Sequence, residues 1–147
     1  MNSCKKDEET EENVVTETNT PSPSMSWSAS AGLVSFNADT TTYNYDFDSA
    51  TGLHVLSAEN ASGGVMTFML ADITPGNHEV DFDSTIVIWQ SGANLYNGGF
   101  NPQGFINITD TTNQRITGTF AATLFSFTTA TEIEFSSGSF NKLPIFN

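Results

Sequence analysis

Positive charge is what this chain has least of: four Lys and Arg stand against 17 Asp and Glu, a formal net charge of −13. Such a surface repels phosphate backbones and anionic headgroups, which excludes nucleic acid as a partner. Cysteine is nearly absent, and the single Cys4 cannot close an internal disulfide. No Gly-x-Ser-x-Gly is present; Lys5 and Lys6 beside Cys4 favour its thiolate and could make it a reactive thiol, but Cys4 lies in a charged tether, so no nucleophile has a catalytic setting. The two histidines, His54 and His78, lie in different segments without the paired spacing of a zinc site. Each is expected to hydrogen-bond locally. Apolar runs are too short to cross a bilayer as a helix, and none repeats at helical spacing. These absences argue against an enzyme and against any bound cofactor.

What is present points to strands. In 147 residues, 37% are hydrophobic and 12 are Phe, enough for one domain with a sizeable core. Thr, Ser, Asn and Gly supply most of the remainder, which favours strands and turns over helices. The clearest alternation lies between Phe105 and Phe140: Ile106 and Ile108, then Ile116, Gly118 and Phe120, then Ile133 and Phe135. A period of two predicts strands with one face on a core. Upstream, Tyr43, Tyr45 and Phe47 alternate with Asn44, Asp46 and Asp48 over 42–48. Further strands are expected at 26–31, 33–36, 53–58, 65–70 and 78–83, with 86–89 apolar throughout and expected to be buried on both faces. The Thr74-Pro-Gly-Asn77 sequence suits a type II turn. The fold class expected is all-β: an antiparallel β-sandwich of about eight to ten strands over 25–147, with a small β-barrel as the alternative. Residues 1–24 hold six of the acids and no aromatic side chain, so they are expected to form a disordered tether.

Three groups of side chains could carry chemistry. If 78–83 is a strand, Glu79, Asp81 and Asp83 line one face, where a hard cation such as calcium would find oxygen ligands. Strand spacing does not converge ligands on a point, so a solvated acidic face is the preferred reading and no metal is expected. Asp46 and Asp48 fail the calcium-loop pattern, and Glu132 and Glu134 share one strand face without opposing each other across a cleft. The aromatics offer more. Trp89, Tyr96 and Phe100 lie in or beside a glycine-rich segment at 90–104, which could present rings and the amides of Asn94, Asn97 and Asn101 to a sugar or a protein. Most such rings are core, Trp89 foremost.

Cys4 acquires a sharper reading from its surroundings. The small residue Ser3 before Cys4, and the acidic Ser, Thr and Pro-containing tether after it, resemble the processing site of a bacterial lipoprotein. The run Cys4-Lys5-Lys6-Asp7-Glu8-Glu9 resembles the acidic export signal of surface-exposed lipoproteins of the Bacteroidota. The order of an apolar strand, a Thr-Pro-Gly turn, Ile-Asn-Ile-Thr-Asp, Arg-Ile-Thr-Gly-Thr-Phe and Gly-Ser-Phe, over Val65 to Phe140, resembles uncharacterised members of that group. The resemblance implies a lipid on Cys4, an export role for Lys5 to Glu9, a removed signal peptide and an address on the outer membrane at the cell surface. It implies a non-catalytic binding or accessory subunit of an outer-membrane complex, with a carbohydrate-binding module or a structural envelope protein as alternatives. It brings no catalytic residue. Asp39-Thr-Thr, Asp48-Ser-Ala, Asp83-Ser-Thr and Asp110-Thr-Thr further resemble O-glycosylation sites of the same bacteria.

Overall fold

A computed structural model of the chain describes residues 23–29, 36–38, 42–100 and 102–146. Most of the expected tether therefore lies outside the described residues, as do Cys4, Lys5, Lys6, Asp7, Glu8 and Glu9. The structure is all-β and antiparallel. Its strands are β1 (Ser24–Ala29), β2 (Phe36–Ala38), β3 (Thr42–Asp48), β4 (Leu53–Glu59), β5 (Val65–Leu70), β6 (Gly76–Glu79), β7 (Thr85–Ser91), β8 (Asn94–Asn97), β9 (Gly104–Asp110), β10 (Arg115–Ser126) and β11 (Thr131–Pro144). Short 3-10 turns at Gly98–Phe100 and Thr112–Gln114 are the helical elements among the described residues.

One sheet contains every strand, in the order β2-β1-β11-β10-β8-β7-β5-β4-β3. It forks at β10, which pairs with β9 over Thr117 to Ala122 and then with β8 at Phe125, while β6 pairs with the far side of β9. The sheet curls into a half-barrel whose two halves meet across one core. Phe68 of β5 packs edge-on against Phe120 of β10 at 4.8 Å and tilts against Phe140 of β11 at 5.6 Å. Trp89 of β7 meets Trp27 of β1 at 5.3 Å and Phe135 of β11 at 6.2 Å. These rings are all buried, and burying each contributes roughly 1.5–3 kcal/mol.

The curl has local causes. The register shifts in β10 between Ile116 and Gly118 and between Phe120 and Ala122, and bulges of this kind bend a strand and increase its twist. Glycines stand where the bent strands and rings crowd together. A Cβ on Gly138 would overlap the Phe120 ring, and one on Gly118 would collide with the Asn107 carbonyl and the Phe140 ring.

The expected strands at 42–48 and 65–70 form with those bounds. Others differ. The alternation at Ile133 and Phe135 belongs to a strand of 14 residues, β11, that runs on to Pro144. The strand expected over 78–83 stops at Glu79, because Asp81 turns the chain. Gly76 has φ +150° and enters β6, so the Thr74 to Asn77 segment does not take type II geometry. In β7, Val87 and Trp89 face the core while Ile86 and Ile88 are half-buried on the outer face, so among the described residues the run is fully buried on one side only.

Candidate functional site

The glycine-rich segment does not present its rings. Trp89 and Tyr96 are cross-strand partners in the β7–β8 hairpin and both point into the core, 2% and 9% exposed. An enclosed ring offers no face to a ligand, which corrects the expectation of contact through these two aromatics. Gly98 is buried, with Leu124 and Val80 at the distances a Cβ would need. The segment thus packs inward as a β-hairpin and a 3-10 turn. Asn97 uses its side-chain carbonyl to accept from the Gly99 N–H at 2.7 Å, and Asn94 is half-buried at the hairpin end opposite Ser91. The Phe100 side chain and Asn101 lie outside the described residues.

Glu79, Asp81 and Asp83 do not share a strand face. Glu79 ends β6, whereas Asp81 and Asp83 belong to the following turn. Asp81 Oδ1 accepts from the backbone N–H groups of Asp83 (2.9 Å), Ser84 (2.6 Å) and Thr85 (2.9 Å), and the Ser84 hydroxyl donates to Oδ2. Burial pushes the Asp81 carboxyl up, but these four donors together outweigh it and hold the pKa at about 2. Its oxygens are spent on the turn.

Other acids behave alike. Asp48 accepts from Thr51 Oγ1 and the Ala50 N–H across the β3–β4 turn, and the Thr51 hydroxyl first, then that N–H, lower its pKa. Asp110 is lowered first by its hydrogen bond from Lys142 Nζ, 2.9 Å away, and next by the Thr112 hydroxyl. Asp72 is lowered first by the Thr74 N–H and hydroxyl, with His78 and His54 adding a weaker attraction. Both histidines bond locally: His54 Nδ1 lies 2.9 Å from the Tyr45 hydroxyl and His78 Nε2 lies 2.9 Å from the Thr74 carbonyl. Among the described residues no three His, Cys, Asp or Glu side chains gather as metal ligands would.

The feature that sequence reasoning missed is the outer face of the sheet. On β9, β10 and β11 the outward positions are mostly those of a solvated sheet, Asn107 and Thr109, Thr117 and Thr119, Glu132 and Glu134, Ser139 and Asn141, with Phe105 and Ala121 the apolar pair among them. On β4, β5, β7 and β8 they are mixed: Val55, Val65, Met69, Ile86, Ile88 and Leu95 stand among Ser57, Glu59, Thr67, Gln90 and Asn97. Cross-strand pairing sets Val55 beside Met69 and Met69 beside Ile86 in one row. A second row runs Thr67, Ile88, Asn97 and Phe125, and a third joins Val65, Gln90 and Leu95. Leu95 is 49% exposed, and Phe127, packed edge-on against Phe125 at 4.9 Å, is 63% exposed. The signal lay in 86–89, apolar at every position, but which side stays open follows only from the strand order.

A family model described as a domain of unknown function, DUF6252, matches residues 25–144. The chain belongs to this family. No curated protein and no solved structure matches it. The DUF6252 domain here offers a second surface feature, a depression of about 190 Å³ where β9 parts from β10, with Ala121 and Gly104 beside Gln103, Phe105, Thr123 and Ser136. Phe105 is 37% exposed on β9.

Proposed function

We infer that this chain is a non-catalytic binding subunit, held at the cell surface on the outer membrane by lipid on Cys4 and acting within an outer-membrane protein complex. One observation carries the binding half of this reading. On the outer face half-buried Val55, Val65, Met69, Ile86, Ile88 and Phe125 and exposed Leu95 and Phe127 gather over β4, β5, β7, β8 and the end of β10, with Ser57, Thr67, Gln90 and Asn97 among them, and an apolar cluster on a surface marks an interaction site. The address is supported by the resemblance of Cys4 to Glu9 to a lipoprotein export signal. Acyl chains on Cys4 would add about 0.8 kcal/mol of membrane affinity per buried CH₂.

The test is a gentle detergent pull-down of the tagged full-length protein from native membranes, beside Cys4→Ser. A partner in stoichiometric yield, and loss of Cys4→Ser from the membrane fraction, are expected. A protein that comes down alone overturns the subunit role, and an unchanged membrane fraction overturns the anchor.

The depression beside Phe105 favours a second reading, a carbohydrate-binding module, because it sets a part-exposed ring among the hydrogen-bonding side chains of Gln103, Thr123 and Ser136. Glycan-array binding lost in Phe105→Ala would establish it, and an array without signal removes it.

A further inference from the structure

We propose that the apolar half of the outer face docks a protein segment that is apolar along its centre and carries Lys or Arg on both flanks. The proposal rests on the binding reading above and adds the chemistry of the partner. Each row meets an acid on one side, two of them toward β3 and the third toward β11. Asp46 of β3 pairs with Val55, and Glu59 of β4 pairs with Val65, which bounds the face on the β3 side. On the other side Phe125 of β10 pairs with Glu132 of β11. Asp46, Glu59 and Glu132 are exposed.

No Lys or Arg stands on these rows. The described residues contain two such cations, Arg115 and Lys142, and both are engaged near the β10–β11 pairing: Arg115 donates to the Lys142 carbonyl at 2.9 Å, and Lys142 pairs with Asp110 at 2.9 Å. An acidic rim around an apolar centre attracts cations brought by a partner, and it repels like charge. A second copy of this chain brings the same net charge of −13, and among the described residues its Arg115 and Lys142 are already engaged. An anionic bilayer surface is repelled as well. A basic, apolar protein segment satisfies both halves of the surface.

Photoreactive residues placed at Ile88 and Met69 of the full-length protein in cells, with Thr119 on the polar half as control, test the site. Crosslinks from Ile88 and Met69 to one protein are expected, at a peptide with apolar residues between Lys or Arg, and none from Thr119. Reversing the rim with Asp46→Lys and Glu132→Lys together should cut the crosslink yield by about tenfold. Circular dichroism of the reversed protein checks that it remains folded. Crosslinks to an acidic peptide, to a second copy or to lipid would overturn the proposal, as would a yield that ignores the reversal. If the pull-down still returns a partner but Ile88 and Met69 give no crosslink, the subunit role stands and this face is wrong. If the pull-down returns nothing, the subunit role itself has failed.

Discussion

Asp81 shows how this chain uses its acids. One side chain satisfies three successive backbone N–H groups and a hydroxyl, so it fixes the turn that ends β6 and aims Thr85 into β7. Replacing it with Ala leaves four donors without their acceptor, at a cost of about 1–2 kcal/mol because water reaches part of the turn. Asp81→Asn keeps one carbonyl acceptor and should lose less. Urea midpoints of the three proteins at neutral pH test the ranking, and equal midpoints for wild type and Asp81→Ala would sink it. The same contacts set a pH window. The folded pKa of about 2 lies below the ordinary carboxylate value, so the contribution is complete above about pH 4. It is lost as pH falls from about 4 towards 2, by roughly 1 kcal/mol once solvent screening is allowed for. Asp48, Asp72 and Asp110 are shifted in the same direction and act in the same sense. Asp81→Ala should therefore show a shallower loss of stability over that window than wild type.

At the level of strands, the two faces of β5 and β7 should respond oppositely to substitution. Phe68 is 1% exposed and touches rings from the opposite half of the sheet, so Phe68→Ala should cost about 3–5 kcal/mol. Ile88 lies outward on the neighbouring strand, and Ile88→Thr keeps a β-branched residue there, so it should cost about 0.5 kcal/mol or less. Denaturant unfolding of both variants, with crosslinking or co-purification of Ile88→Thr, separates the roles: stability is expected to stay and partner binding to fall. An Ile88→Thr protein as destabilised as Phe68→Ala would mean the outer face is core. Sequence alternation reached this far because strands such as β3 and β9 keep a strict period of two. It faltered at β11, where Ser136, Ser137 and Gly138 interrupt the apolar pattern although Gly138 is what the Phe120 ring requires. It overran β6, because the alternation of Val80 and Phe82 hides a turn that depends on the Asp81 side chain. The inward Tyr96 and the apolar outer positions were illegible for one shared reason. Both follow from which strands neighbour β7 and β8, and a fork in the sheet leaves no local mark in the sequence.

Over the whole molecule, charge acts on the fold and on the proposed docking in opposite directions. The described residues carry ten Asp and Glu against Arg115 and Lys142, so the folded state gathers like charges that the unfolded chain spreads apart. The Lys142–Asp110 pair returns little, since both side chains are about a third exposed. Added salt shortens the Debye length from about 30 Å at 0.01 M to about 8 Å at 0.15 M and weakens this repulsion. The melting temperature should therefore rise by roughly 2–4 °C over that range, the shift expected of about 1 kcal/mol in a domain of this size. Potassium chloride is the appropriate salt, because sulfate would strengthen apolar burial as well. A falling melting temperature would mean that paired charges outweigh the repulsion. Docking of a basic partner on the acidic rim should weaken over the same titration. The opposite signs matter for interpretation: binding that declines in salt while the melting temperature climbs cannot be loss of fold, and it isolates the attraction between the rim acids and the partner's cations.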